Sequence, residues 1–69
     1  MTDKTMYWVY LLDYQGDDYG LFLVGKFVCK GDAFEYAIHR AHTIPEGKHQ
    51  VFEVYKVVGA KRERLYRAG

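Results

Sequence analysis

The chain has 69 residues, which is enough for one domain and too few for two. Hydrophobic residues make up 49% and charged residues 28%, with a single Pro, and this balance excludes a disordered tail and a collagen-like repeat. The formal net charge of +1 excludes a bulk polycation. A single cysteine, Cys29, permits no intrachain disulfide and offers too few ligands for a Cys-based zinc site, so we expect a reducing compartment and no cofactor.

Two strands are predicted in the first half of the chain. The run 6–13 is rich in aromatic and β-favouring residues and is followed at 15–18 by Gly and Asp, which form turns. The run 20–30 is again apolar, and Gly25 in its middle predicts a bulge or a close approach of the backbone. The two runs therefore predict an antiparallel hairpin.

The apolar spacing changes to a helical period after Gly31. The residues at this period, which predict one apolar helix face, are Ala33, Phe34, Ala37, Ile38, Ala41 and Ile44. Asp32 is the predicted N-cap, with Glu35 completing a capping box. The helix is expected to end by Thr43, because Pro45 cannot continue it.

A third strand is predicted from Gln50 to Val58, followed by a turn at Gly59. The charged stretch 61–67 fits either a fourth, edge strand or a frayed tail. The predicted fold class is α+β: a single domain, 1–69, with an antiparallel sheet of three to four strands, ββαβ or ββαββ, and one helix on one face.

The first strand carries large apolar side chains on both sides. One side holds Tyr7, Val9 and Leu11, and the other holds Trp8, Tyr10, Leu12 and Tyr14. One short helix can shield only one face of a small sheet. Val9 and Leu11 suit an Ala-lined helix, so we expect the aromatic side to point away from it. These aromatics either complete a small core, bind a partner, or bury themselves in a homodimer.

Charge is unevenly distributed along the chain. Residues 1–35 hold three basic and six acidic side chains, whereas residues 36–69 hold seven basic and three acidic ones. The acidic cluster is Asp13, Asp17 and Asp18, and the basic cluster is Lys61, Arg62, Arg64 and Arg67. Either cluster can steer a partner, or serve as ordinary solvated surface.

Candidate catalytic and metal sites are weak. Glu35, His39 and His42 share one helical stripe, a pattern that a solvated polar face explains better than a metal site. Cys29 ends an apolar run with no group placed to orient a base, and it is predicted to be a buried small hydrophobe. The sequence therefore predicts neither an enzyme nor a metal site.

The stretch from Val28 to Val58 carries a resemblance in layout. It reads as a strand, an Asp32-Ala33 helix start, a short alanine-rich helix, the loop 44–47, and a strand beginning at Phe52. This layout is similar to that of very small phage-encoded inhibitors, including inhibitors of bacterial RNA polymerase and anti-CRISPR proteins. The resemblance implies a non-catalytic protein that blocks a host enzyme or defence complex in the host cytoplasm.

The expected function is thus that of a small protein-binding inhibitor or adaptor, with a host protein as partner and no membrane association. The expected partner-binding residues are Trp8, Tyr10, Tyr14, Asp17, Asp18, Tyr55, Arg62 and Arg64. The alternative is a nucleic-acid-binding module that stacks bases on the sheet aromatics and holds phosphates with the basic C-terminal segment. The nearly neutral total charge disfavours that alternative. The absence of a signal-peptide pattern and of a long apolar run leads us to expect a cytoplasmic protein.

Overall fold

A computed structural model of the chain describes residues 4–15 and 18–69. Its elements are β1 (Thr5–Gln15), β2 (Asp18–Phe27), α1 (Lys30–His42), β3 (His49–Val58) and β4 (Lys61–Ala68). The strands form one antiparallel sheet in the order β2-β1-β3-β4, and α1 packs on one side of it. The predicted α+β class is confirmed in its ββαββ form, and the charged C-terminal stretch is an edge strand.

The sheet register contains a bulge next to Gly25. Val9 pairs with Gly25 and Tyr10 with Leu23, so Val24 is the extra residue on β2. A Cβ atom on Gly25 would lie 2.8 Å from the Phe27 ring, too close for any larger residue without a shift. The predicted bulge is confirmed, and the close contact at Gly25 is made by an aromatic side chain.

The helix begins earlier than its polar residues indicate. Cys29 occupies the N-cap position without a side-chain cap, and the Ala33 N–H donates the first helical hydrogen bond to the Cys29 carbonyl at 3.2 Å. The prediction that Asp32 is the N-cap of a capping box is therefore wrong. Asp32 lies in the first turn instead, where its charge favours the helix dipole. The C-terminal end agrees with the prediction, since the helix stops at His42.

The core lies between α1 and the two central strands. Its buried members are Val9, Ala33, Ala37, Phe52 and Val54, and Leu11 packs against them. The expectation that Val9 and Leu11 face the helix is confirmed. Ile38, predicted on the buried helix face, is 39% exposed, because one residue beyond Ala37 is about 100° further around the helix.

Two further features of the chain complete the fold. Cys29 is exposed rather than buried, because β2 ends at Phe27 and leaves Cys29 in the connection to α1. Gly59 turns the chain between β3 and β4 with a φ of 59°, as the tight hairpin requires. In the described ranges, no helix is long and apolar enough to cross a membrane.

Candidate functional site

The side of the sheet away from α1, here called the open face, is the candidate site. Because side chains alternate along a strand, the neighbours of helix-facing Val9 and Val54 point to the open face. The helix has 13 residues and spans about 20 Å, and it covers only the opposite side of the sheet. By register, the open-face residues are Met6, Trp8, Tyr10, Leu12, Tyr14, Tyr19, Leu21, Leu23, Lys26, His49, Val51, Glu53, Tyr55, Val57, Arg62, Arg64 and Arg67.

A cationic–aromatic cluster of Trp8, Tyr10, Lys26, Tyr55 and Arg62 lies at the centre of this face. The Tyr10 and Tyr55 rings meet edge to face with centroids 5.4 Å apart. Lys26 Nζ lies 4.7 Å from the centre of the Trp8 ring, and Arg62 Cζ lies 5.1 Å from it. Arg62 also donates a hydrogen bond from Nη1 to the Tyr10 hydroxyl at 3.1 Å. The cluster therefore joins β2, β1, β3 and β4 into one surface.

Glu53 is a buried carboxylate on the same face. It is 5% exposed, and its two oxygens are held separately. The Tyr55 hydroxyl donates to Oε1 at 3.0 Å, and Arg64 Nη1 donates to Oε2 at 3.0 Å. Burial, then the hydrogen bond to Glu53 and its negative charge, raise the pKa of Tyr55 above its ordinary value of 10.0. The Glu53 charge is thus satisfied within the chain.

Exposed apolar side chains on β2 form a second part of the open face. Tyr19, Leu21 and Leu23, here called the β2 strip, are 64%, 58% and 42% exposed. A shallow groove lined by Tyr10, Leu21, Tyr55 and Arg62 connects the strip to the cationic–aromatic cluster. Contiguous exposed apolar side chains of this kind mark interaction surfaces.

The charge of the open face differs from that of the whole chain. Its cations are Lys26, Arg62, Arg64 and Arg67. Among the described strand residues of this face, Glu53 is the one carboxylate, and Arg64 neutralises it. The face is therefore basic, although the chain as a whole carries a charge of only +1.

Two members of the expected acidic cluster, Asp13 and Asp18, lie off the open face. Asp13 lies on the helix side of the sheet, where Gln50 Nε2 donates to its Oδ2 at 3.3 Å. Asp18 is exposed at the start of β2, and Asp17 lies outside the described residues. Among the described residues, Asp13 and Asp18 therefore do not share the open face with Arg62, Arg64 and Arg67.

The other expected site residues lie on the open face. Those on the face are Trp8, Tyr10, Tyr14, Tyr55, Arg62 and Arg64. The four aromatic residues among them are half-buried, so the most exposed apolar surface of the open face belongs to the β2 strip, which the sequence reasoning missed. The spacing of Leu21 and Leu23 placed them on one side of a strand. That β2 is an edge strand was not visible in the sequence.

Outside the open face, the described residues offer little support for a metal site. No three His, Cys, Asp or Glu residues within 4–15 and 18–69 are arranged to hold a metal ion. The Glu35, His39 and His42 side chains are exposed on α1.

The comparisons with known proteins give no family for this chain. No family model, no curated protein and no solved structure matches it. A functional assignment therefore rests on the side chains of the open face. The resemblance in layout to phage-encoded inhibitors stays a prediction.

Proposed function

We propose that the protein is a small non-catalytic inhibitor or adaptor that covers an acidic site on a larger protein with its open face. The observation that carries this proposal is the β2 strip, in which exposed leucines lie directly beside a basic, aromatic cluster. Protein interfaces combine such an apolar centre with aromatic and Arg side chains. The resemblance in layout suggests a host enzyme or defence complex as the class of target.

The choice of a protein over a nucleic acid depends on what the open face leaves accessible. Leu21 and Leu23 offer apolar surface that neither stacks on bases nor binds phosphates. The Trp8 ring, which would be the best stacking platform, is already in contact with Lys26 and Arg62. These two observations favour a protein partner.

The chemistry of the partner follows from the charges on the open face. Arg62, Arg64 and Arg67 project from β4, and Lys26 projects from β2. A complementary surface would carry Asp or Glu side chains around an apolar centre. Arg62 is the central cation, since it contacts both Trp8 and Tyr10 and lines the groove beside Leu21.

The proposal is tested by capture from a nuclease-treated bacterial lysate with three forms of the protein. These are the unchanged chain, Arg62→Glu, and Lys48→Glu, which makes the same charge change at an exposed loop residue off the sheet. We expect the unchanged chain and Lys48→Glu to retain the same protein equally. Arg62→Glu is expected to retain it at least about tenfold less, the equivalent of one lost charged interface contact.

Far-UV circular dichroism and urea unfolding of each form show whether the fold is intact before capture. Equal retention by Arg62→Glu and the unchanged chain would contradict the proposal. Retention that depends on nucleic acid, together with salt-sensitive binding to single-stranded oligonucleotides, would also contradict it. That result is expected of a nucleic-acid-binding module.

A further inference from the structure

The two edge strands of the sheet differ in how they are protected. β4 carries Lys61, Arg62, Glu63, Arg64 and Arg67, and charged side chains of this kind discourage pairing with another strand. Residues 19–24 of β2 contain no charged residue and no Pro. Within 4–15 and 18–69 no strand pairs with the outer side of β2, so its backbone groups are available to pair with a further strand.

Side chains on both sides of β2 remain exposed at this edge. Leu21 and Leu23 are exposed on the open face, and Phe22 is 54% exposed on the opposite side. α1 packs most closely over β3, so it leaves Phe22 largely uncovered. An added strand would shield apolar side chains on both sides of the sheet at once.

We propose that two copies of the chain associate through antiparallel pairing of their β2 strands, centred on Leu21, to form one eight-stranded sheet. In this register Leu21 lies opposite Leu21 of the second copy, and Tyr19 lies opposite Leu23. Gly20 lies opposite Phe22, whose ring packs over Gly20 of its own chain. In each of these three pairs, both side chains lie on the same side of the sheet, as antiparallel pairing requires.

The bulge sets the length of this pairing. Residues 18–23 keep a regular register with β1, whereas Val24 is the unpaired residue of the bulge. A bulge increases the local twist and interrupts the edge. The two Asp18 residues lie at opposite ends of the paired segment, so their charges do not meet.

The charges of the open face favour pairing by edges over packing by faces. Face-to-face packing would bring the basic open faces of two copies together, including Arg62, Arg64 and Arg67. In the edge-paired dimer the two β4 strands are seven strand spacings, about 34 Å, apart. This is well beyond the Debye length of about 8 Å at physiological salt, so their repulsion is screened.

The dimer extends the proposed function without depending on it. The two β2 strips would lie side by side at the centre of one continuous open face, with a cationic–aromatic cluster on each flank. The association itself needs no partner. Arg62→Glu is therefore expected to leave the dimer intact, and Leu21→Lys is expected to weaken it, which separates the two proposals.

The test places a positive or a negative charge at residue 21, which lies opposite residue 21 of the second copy. Leu21→Lys and Leu21→Glu each place like charges directly opposite one another, and we expect each variant to self-associate at least about tenfold more weakly than the unchanged chain. An equimolar mixture of the two is expected to recover the dimer, because the introduced lysine then faces the introduced glutamate. Ile38→Lys and Ile38→Glu are matched controls on α1, where an exposed apolar residue lies away from the edge.

Sedimentation equilibrium over a wide range of protein concentrations measures these associations. A monomeric unchanged chain, undiminished association of the single variants, or a mixture that stays monomeric would each overturn the inference. Leu21→Cys in a Cys29→Ser background provides a second measurement. Directly opposite Cα atoms lie about 4.5–5.5 Å apart, within the range of a disulfide, so oxidation is expected to give a crosslinked dimer that Ile38→Cys does not give. Failure of Leu21→Cys to crosslink more than Ile38→Cys would equally overturn it.

Discussion

The pair formed by Glu53 and Arg64 provides the sharpest test of how the open face is built. Arg64→Met keeps the aliphatic part of the side chain and removes the charge that neutralises the buried Glu53 carboxylate. We expect this change to destabilise the fold, because, of its two partners among the described residues, the carboxylate then keeps Tyr55 alone. In a Glu53→Gln background the same change is expected to cost little.

The magnitude follows from the burial of the two partners. Glu53 is 5% exposed, and removal of one partner from a fully buried pair costs about 3–5 kcal/mol. The Arg64 side chain is 53% exposed, so water replaces part of the lost contact. A hydrogen bond to a charged group then contributes about 1.5 kcal/mol. For a domain of this size, that loss lowers Tm by about 6–12 °C.

A double-mutant cycle measures the coupling directly. Urea unfolding of the unchanged chain, Arg64→Met, Glu53→Gln and the double variant gives the four free energies of unfolding. The expected coupling energy is about 1–2 kcal/mol. If Arg64→Met cost the same free energy with Glu53 as with Gln at that position, the two side chains would not interact, and the described geometry of this face would be wrong.

Three further predictions concern the core, the β3–β4 turn and alkaline pH. Val9→Ala is expected to reduce the free energy of unfolding by about 2 kcal/mol, and Leu23→Ala by less than about 1 kcal/mol, because Val9 is fully buried and Leu23 is 42% exposed. Equal losses in urea unfolding would contradict the assigned faces. Gly59→Ala is expected to cost about 1 kcal/mol, since a φ of 59° strains any residue with a Cβ atom; an unchanged thermal midpoint would contradict this. Because the pKa of Tyr55 is raised in the folded protein, folding favours the protonated hydroxyl. This contribution to stability is fully present below the ordinary tyrosine pKa of about 10 and is lost as pH rises through the raised value. Urea unfolding between about pH 9 and 11 is therefore expected to show a steeper loss of stability than in Tyr55→Phe, and identical pH profiles would refute the assignment.

Much of the fold was predictable from local patterns. The alternation in β1 and the Ala-lined period of α1 correctly paired Val9 and Leu11 with the helix, because each pattern identifies a buried side without any knowledge of the partner. The helix start was predicted incorrectly, with Asp32 as the N-cap in place of Cys29. A polar residue signals a cap, but a cap contributes only about 1 kcal/mol, and here the first helical hydrogen bond reaches Cys29 without one.

The composition of the open face was less predictable, because it depends on strand order. Lys26 and Arg62 lie 36 positions apart in sequence and meet over the Trp8 ring only because β1 and β3 lie between their strands. The exposure of Leu21 and Leu23 follows from the edge position of β2, which no local pattern encodes. The basic character of the face was also hidden by the acidic residues elsewhere in the chain.

The most direct test of the central claim is a footprint of the bound protein. Amide hydrogen exchange is measured on the chain alone and in complex with the protein that it captures. The claim predicts slower exchange in β1, β2 and β4 around Tyr10, Leu23 and Arg62, with unchanged exchange along α1. Slower exchange confined to α1, with the open-face strands unchanged, would contradict the claim that the open face binds the partner.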